Sequence, residues 1–428
     1  MTVTDERAGR TSRSPAAPSR GRNEIRALTT LGFDELSGFP GAIRDMHLGI
    51  AERAFRAVGP AGRPVQLVHD ELSRRAYGAV VAGTSLIGRS AGAVIDQAGI
   101  GHGVRLSERR AGSAAIAALN GLIGDRIERS GSDLHEQASV RVGGEAVTIE
   151  KRSLQTAFPD AGGRLVVFLH GLMGDEFYWE LHAPAAGGSY GARLAAELGC
   201  TPVYLRYNTG LHISENGRDV ARLLDELVAC WPAEVTEIAL VGHSMGGLIA
   251  RSAAHQGSRS GQPWAARVRH IVSLGSPHLG APLEQGAHVL AEALHALPET
   301  RMGGAFLRKR SAGIRDLRHG SLVDEDWRGR DPNALRSAAC REVPLLEGAT
   351  HCFVSATITR NPRHPVGQLL GDILVLVPSA TGRGRTRRIP FGDEHGLHVS
   401  PTHHLALLNH PEVYARLREW LEGDEQTR

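Results

Sequence analysis

The sequence predicts an α/β protein in which a mostly parallel sheet is covered by helices on both faces. Three observations lead there. Short, predominantly apolar runs at 165–169, 202–205, 238–241, 271–274 and 352–358 read as strands. Amphipathic stretches at 191–198, 217–230 and 245–255 separate several of these runs. Strands without polar alternation are buried on both faces, and their alternation with helices is the pattern of a parallel sheet between two helical layers. The third observation is length: 428 residues exceed what one core usually serves, so an added module is expected.

Taken in order, residues 1–28 are polar and Arg-rich with no apolar core, and read as a disordered tail rather than a secretory signal. Residues 29–135 read as a helical N-terminal region. Ile43, Met46, Ile50, Ala54 and Ala57 keep helical spacing, as do Val65, Val68, Leu72, Ala76 and Ala79 after Pro64. A further helix is expected over 109–127, and the Gly/Ala-rich stretch 78–103 fits either closely packed helix or irregular chain. From about 136 the sheet domain begins with a hairpin: Val140 and Val142, then Val147 and Ile149, alternate about a Gly143–Gly144 turn. The strands and helices already named follow. The long charged excursion between the strands at 271 and 352 reads as a cap or lid over about 281–346. A last strand is expected at 387–391 and a closing helix at 413–421.

Composition narrows the partners. The chain is 41% apolar and 22% charged, with a net charge of +3, too even a balance to argue for nucleic acid. Cys200, Cys230, Cys340 and Cys352 are scattered, which excludes a disulfide scaffold, fits a reduced compartment and leaves a single disulfide open. The apolar run at 76–88 is shorter than the roughly 20 residues of a membrane span. A cytoplasmic protein is the expectation, with peripheral membrane contact as an open alternative.

The chemistry concentrates at Gly242-His243-Ser244-Met245-Gly246, between an apolar strand and an apolar-faced helix. This is Gly-x-Ser-x-Gly in the setting of a nucleophile elbow, the signature of the α/β-hydrolase fold. A sharp turn lifts the Ser244 hydroxyl clear of the sheet at a helix N-terminus, and glycines at 242 and 246 remove a collision across it. The Met245 N–H then points where an oxyanion would form. The second oxyanion donor in this fold comes from the loop after an earlier strand. Here that loop is His170-Gly171-Leu172-Met173-Gly174. Leu172 N–H is the expected donor, with Met173 as runner-up, and His170 is expected to set the loop rather than react.

Chain order in this fold is Ser, then acid, then His. Asp372 follows the strand at 352–358 with apolar flanks; Asp393 and Glu394 compete but fall after the expected last strand. His395, His398, His403, His404 and His410 precede the closing helix. His404 opens the segment leading into it and is the expected base, His403 being the alternative. His410, at the helix start, reads as a cap. The histidine spacing matches no metal-ligand pattern, so neither metal nor cofactor is expected.

Several segments resemble a known family. HGLMGD (170–175), GHSMGGLIAR (242–251), LGSPHLGAP (274–282), GDILVLVPSA (371–380) and HHLALLNHPEVYARLREWL (403–421) are similar to the lipase-like α/β-hydrolases of bacteria, near the triacylglycerol lipases and the GPI inositol-deacylase-like group. The stretches 206–217 and 310–327 resemble uncharacterised actinobacterial members of that branch. The resemblance covers about 160–424. It implies Ser244 as nucleophile, Asp372 as acid and His404 as base.

The expected reaction is cleavage of a carboxylic ester, of a small molecule or a lipid, through an acyl-enzyme. Acyl transfer, thioester cleavage and a non-catalytic binding role on the same scaffold are the alternatives. The Arg and Asp content at 310–331 argues for a polar head group or a modest substrate over a greasy one. The N-terminal helical region is expected to gate the site, rest on a membrane surface or brace the domain.

Overall fold

The computed structural model describes residues 105–132, 134–281, 310–331, 340–361, 364–384 and 387–423, with the isolated positions 63, 66, 67, 70 and 71, which are helical. The rest of the tail and N-terminal region, and positions 282–309 and 332–339 of the expected cap, lie outside the described residues.

The chain enters through helix α1 (Arg110–Arg129) and a hairpin of β1 (Ser139–Val142) and β2 (Glu145–Val147). The hairpin forms as its alternation predicts: Val140 pairs with Val147, and Gly143 and Gly144 turn the chain at φ 59 and 93. Then come α2 (Lys151–Ala157), β3 (Arg164–Leu169), α3 (Tyr190–Leu198), β4 (Thr201–Arg206), α4 (Ile213–Cys230), β5 (Glu237–His243), α5 (Met245–Arg259) and β6 (Val268–Leu274). After the excursion, which contains α6 (Ala312–Leu317), follow β7 (Thr350–Ala356), α7 (Pro365–Leu370), α8 (Val377–Ala380), β8 (Gly396–Val399) and α9 (Pro411–Glu422).

The strands form an eight-stranded sheet in the order β2-β1-β4-β3-β5-β6-β7-β8. The six strands from β4 to β8 are parallel, and β1 joins β4 antiparallel. The continuous apolar runs are explained by two cores. Leu165, Val167 and Leu169 of β3 pack with Leu224 of α4 and Leu248 of α5 on one face. Val166 and Phe168 pack with Leu194 of α3 and Leu417 of α9 on the other. Neither face meets water, so neither carries a polar stripe.

One expected strand is misplaced. Residues 387–391 do not join the sheet; the last strand is β8. Ile389 and Phe391 instead fold down as plugs beside Phe353, with Ile389 N–H donating to the Gly382 carbonyl. Pro390 interrupts that run and has no N–H for a ladder. β8 sits at the sheet edge and is only half buried, so it lacks the apolar run that marks the inner strands. All four cysteines are free. Among the described residues no helix is long and apolar enough to cross a membrane.

Candidate active site

Ser244 stands between β5 and α5 at φ 54, ψ −122, a conformation that L residues rarely adopt. Its N–H donates to the Leu274 carbonyl at the end of β6, at 2.8 Å. Two glycines make the turn feasible, but their reasons differ. A Cβ at Gly242 would lie 2.3 Å from Gly247 N, across the turn. A Cβ at Gly246 would lie 2.1 Å from the Leu169 carbonyl oxygen. The second clash is with the end of β3, a partner distant in sequence, and not with Gly242 as the local geometry suggested. Such strain is held only where the surroundings over-determine it, and it recurs at reactive residues.

His404 is buried in the short turn ahead of α9. Its Nδ1–H donates to Asp372 Oδ2 at 2.8 Å. Its own N–H donates to the Asp372 carbonyl at 3.0 Å. Asp372 is 1% exposed, and its other oxygen, Oδ1, accepts from Leu374 N–H at 3.0 Å and Val375 N–H at 2.8 Å. His404 Nε2 is buried without a protein partner. The ring lies beside Gly275, where an added Cβ would sit 3.2 Å from its Nδ1 and Cε1. Gly275 follows the Leu274 carbonyl that holds Ser244. His243, next to Ser244, donates from Nε2 to the His404 carbonyl at 3.2 Å, and the two rings lie 4.7 Å apart. Asp372 and His404 thus form a bonded pair, and His243 links that pair to the turn that carries Ser244 at the carboxyl end of β5, the end of an open α/β sheet where ligands bind.

The remaining candidates are sorted by their contacts. His403 is half buried and makes no contact with Asp372 beyond electrostatics. His398 bridges Ser355 Oγ at 2.9 Å and Thr357 Oγ1 at 3.2 Å. His395, Asp393 and Glu394 lie in an outer turn, with Glu394 paired to His395 at 3.3 Å and Asp393 to Arg383. His410 caps α9, its Nδ1 accepting from Glu412 N–H at 3.3 Å. His170 is fully buried, stacked on Tyr207 at 4.1 Å, with Nδ1–H bonded to the Gly171 carbonyl. Burial lowers its pKa to about 4 and keeps it neutral.

The loop after β3 runs against the nucleophile: a Cβ at Gly171 would lie 3.1 Å from the Ser244 Cβ. Met173 N–H is taken by Thr209 Oγ1 at 3.1 Å. Leu172 N–H is accepted by no described group. Met245 is the first residue of α5, where backbone N–H groups have no intrahelical partner. Nothing in the sequence singled out Thr209. The available signal was its place in a short Asn-Thr-Gly turn directly after a buried strand.

The described part of the cap changes one expectation. Its charges are engaged in holding structure. Asp316 accepts from Ile213 N–H at 2.8 Å and pairs with His212 at 3.0 Å. Asp324 binds Ser214 at 2.6 Å and Arg218 at 2.7 Å, and Asp326 accepts from Leu322 N–H at 2.9 Å and Arg341 N–H at 2.7 Å. These carboxylates tie the cap to α4 and to itself, so their number says nothing about a polar substrate. An open cleft of about 1170 Å³ lies at the β7–β8 edge, lined by residues such as Ser355, Gln368, Thr381 and His398. It includes none of Ser244, Asp372 and His404.

The sheet order, the elbow and the helices on both faces define an α/β-hydrolase fold. Residues 160–331 match the family model described as the PGAP1-like alpha/beta domain. No curated protein matches the chain. Among solved structures it is similar to a mature lipase from Bacillus licheniformis, at 18% identity over 60% of this chain and 91% of that one, with a TM-score of 0.39. It is also similar to an esterase from Pyrobaculum calidifontis, at 17% identity over 62% and 76%, TM-score 0.36. A third similarity is to phospholipase PlaB from Legionella pneumophila, at 18% identity over 51% and 45%, TM-score 0.30.

Proposed function

We propose that this chain is a serine hydrolase that cleaves carboxylic esters, of small molecules or lipids, through an acyl-enzyme on Ser244. The observation that carries the reading is the buried Asp372–His404 pair set beside a strained serine at a strand-to-helix turn. Because Nδ1–H donates a hydrogen bond to Asp372, Nε2 is the basic nitrogen, and it is the one left without a protein partner. In the proposed cycle Nε2 takes the Ser244 hydroxyl proton while Oγ bonds to the acyl carbon. The carbonyl π electrons move to its oxygen, which the Leu172 and Met245 N–H groups stabilise. Collapse breaks the ester C–O bond, and the alcohol leaves with the proton from His404. Water then repeats the sequence on the acyl-enzyme and releases the acid. Asp372 holds the ring and stabilises its charged form without itself taking the proton.

A fluorophosphonate probe tests this. The wild type is expected to be labelled at Ser244, and Ser244→Ala is expected to be neither labelled nor active on p-nitrophenyl esters of any chain length. Equal labelling of the two proteins would remove Ser244 from the role.

A further inference from the structure

Met173 holds φ 59, in the left-handed region that a side chain disfavours. Two neighbours fix it there. Thr209, in the turn after β4, accepts the Met173 N–H at 3.1 Å. On the other side lies α1, where Gly121 has no room for a Cβ: it would fall 2.4 Å from Met173 Cγ and 3.1 Å from Met173 N. α1 itself is broken at Ile123, with φ −139 and ψ 20. Carbonyls at the break are taken by other segments. Gly121 O accepts Ser311 Oγ at 2.6 Å, and Gly124 O accepts Asn208 Nδ2 at 3.0 Å. Asn208 Oδ1 in turn accepts Gly210 N–H at 2.9 Å. The helix, the 208–210 turn and the loop at 172–173 are thus one bonded unit.

We propose that Thr209, backed by Gly121 of α1, is a positioning residue for the oxyanion loop: by accepting the Met173 N–H it fixes the loop so that the Leu172 N–H is the donor left for the acyl oxygen. This rests on the Ser244 reading above. It assigns the N-terminal helix a part in catalytic geometry, through a contact made on the loop and not on the substrate. The donors of an oxyanion site act only if pre-set, because a loop that must reorganise in the transition state gives up most of its electrostatic benefit.

Thr209→Val keeps the shape and removes the acceptor, and Thr209→Ser restores it. With p-nitrophenyl esters, Thr209→Val is expected to lower kcat by about 10- to 100-fold with KM changed less than about threefold. Thr209→Ser is expected to stay within about threefold of wild type. Gly121→Ala should lower kcat in the same way, by pushing on Met173. Amide hydrogen exchange provides a readout independent of turnover: Met173 should be protected in the wild type and in Thr209→Ser, and exposed in Thr209→Val. An active wild type with Thr209→Val unchanged in kcat, or with Ser failing to rescue, would overturn the assignment to Thr209. Unchanged kcat in a folded Gly121→Ala would remove α1 from it. A wild type that the fluorophosphonate does not label overturns the Ser244 reading instead. In that event the exchange result alone decides whether Thr209 sets the loop, and equal Met173 exchange in all three proteins rejects it.

Discussion

Asp372 grips His404 at two points: its Oδ2 accepts Nδ1–H at 2.8 Å and its carbonyl accepts the His404 N–H at 3.0 Å. The side-chain bond sets the tautomer and the backbone bond sets where the ring starts. Both partners are buried, so water does not compete for either bond.

Asp372→Asn should separate orientation from charge. Leu374 and Val375 N–H can still donate to the amide oxygen, so the loop is expected to fold. The amide cannot accept Nδ1–H in the same way while its oxygen faces those donors, and it carries no charge to balance the imidazolium. We expect kcat to fall by about 10³- to 10⁴-fold with a thermal midpoint near that of the wild type. A loss below tenfold would show that another group orients the base.

His404→Ala and His403→Ala should differ sharply. Of the two histidines, His404 bonds Asp372, whereas His403 is half buried beside it. His404→Ala is expected to lose several orders of magnitude in kcat, since members of a triad act as a unit. His403→Ala should stay within about tenfold, by the same reading of rate effects. The reverse ranking, measured on one ester, would move the role to His403.

Arg206 joins three segments in a buried network. Its guanidinium forms two bonds to Glu176, one to the Ser107 carbonyl at 2.6 Å and one to Glu136 at 3.5 Å. Ser113 of α1 adds a buried bond to Asp175. The described part of the N-terminal region is therefore bonded to the sheet domain through Ser107 and Ser113. Arg206→Met leaves two carboxylates without their cation and should destabilise by about 3–5 kcal/mol, read as a lower urea midpoint. Deleting residues 1–135 removes Ser107 and Ser113 from this network and is expected to give insoluble protein. A soluble deletion product with faster turnover on long esters would favour gating.

Acid should weaken the fold. Burial lowers the pKa of His170 to about 4 and of His351 to about 3, and holds His243 and His278 well below the ordinary 6.5. Below pH 6.5 the unfolded chain binds a proton at each of these histidines and the folded chain does not. Stability is therefore lost as pH falls from 6.5 toward 4, by up to about 1.4 kcal/mol per unit for each group. Glu136 opposes this: burial raises its pKa to about 7, so between 7 and 4.5 the folded state binds the extra proton and gains stability as pH falls. Burial also lowers the pKa of His255, His398, His403 and His410 and raises that of the carboxyls of Glu128, Asp175 and Asp316, so the histidines outnumber the opposing carboxyls. The urea midpoint should drop from pH 7 to pH 5, and the drop should be smaller in His351→Gln. A midpoint that holds or rises over that range contradicts the assignment of neutral buried histidines.

The sequence by itself determined what is local. Apolar runs fixed the inner strands, because a strand buried on both faces has no freedom to be polar. Gly242 and Gly246 marked the elbow, because no side chain fits there. Asp372 and His404 could be named from chain order and from the segments around them, and the fold sets them 2.8 Å apart. Tertiary structure decided the rest, through pairs far apart in the chain. Leu172 and Met173 are neighbours with equivalent N–H groups, and only Thr209, 36 residues on, distinguishes them. The cap acids argue for a polar substrate in the sequence alone, whereas in the fold Asp316 binds Ile213 and Asp324 binds Ser214. Residues 387–391 carry strand-like residues, yet the edge of the sheet went to β8, because backbone pairing with β7 suits a run without proline and Ile389 and Phe391 bury better beside Phe353. Local conformation follows from each residue's own sterics and periodicity, whereas a hydrogen bond between distant segments exists only once the fold has chosen which surfaces meet.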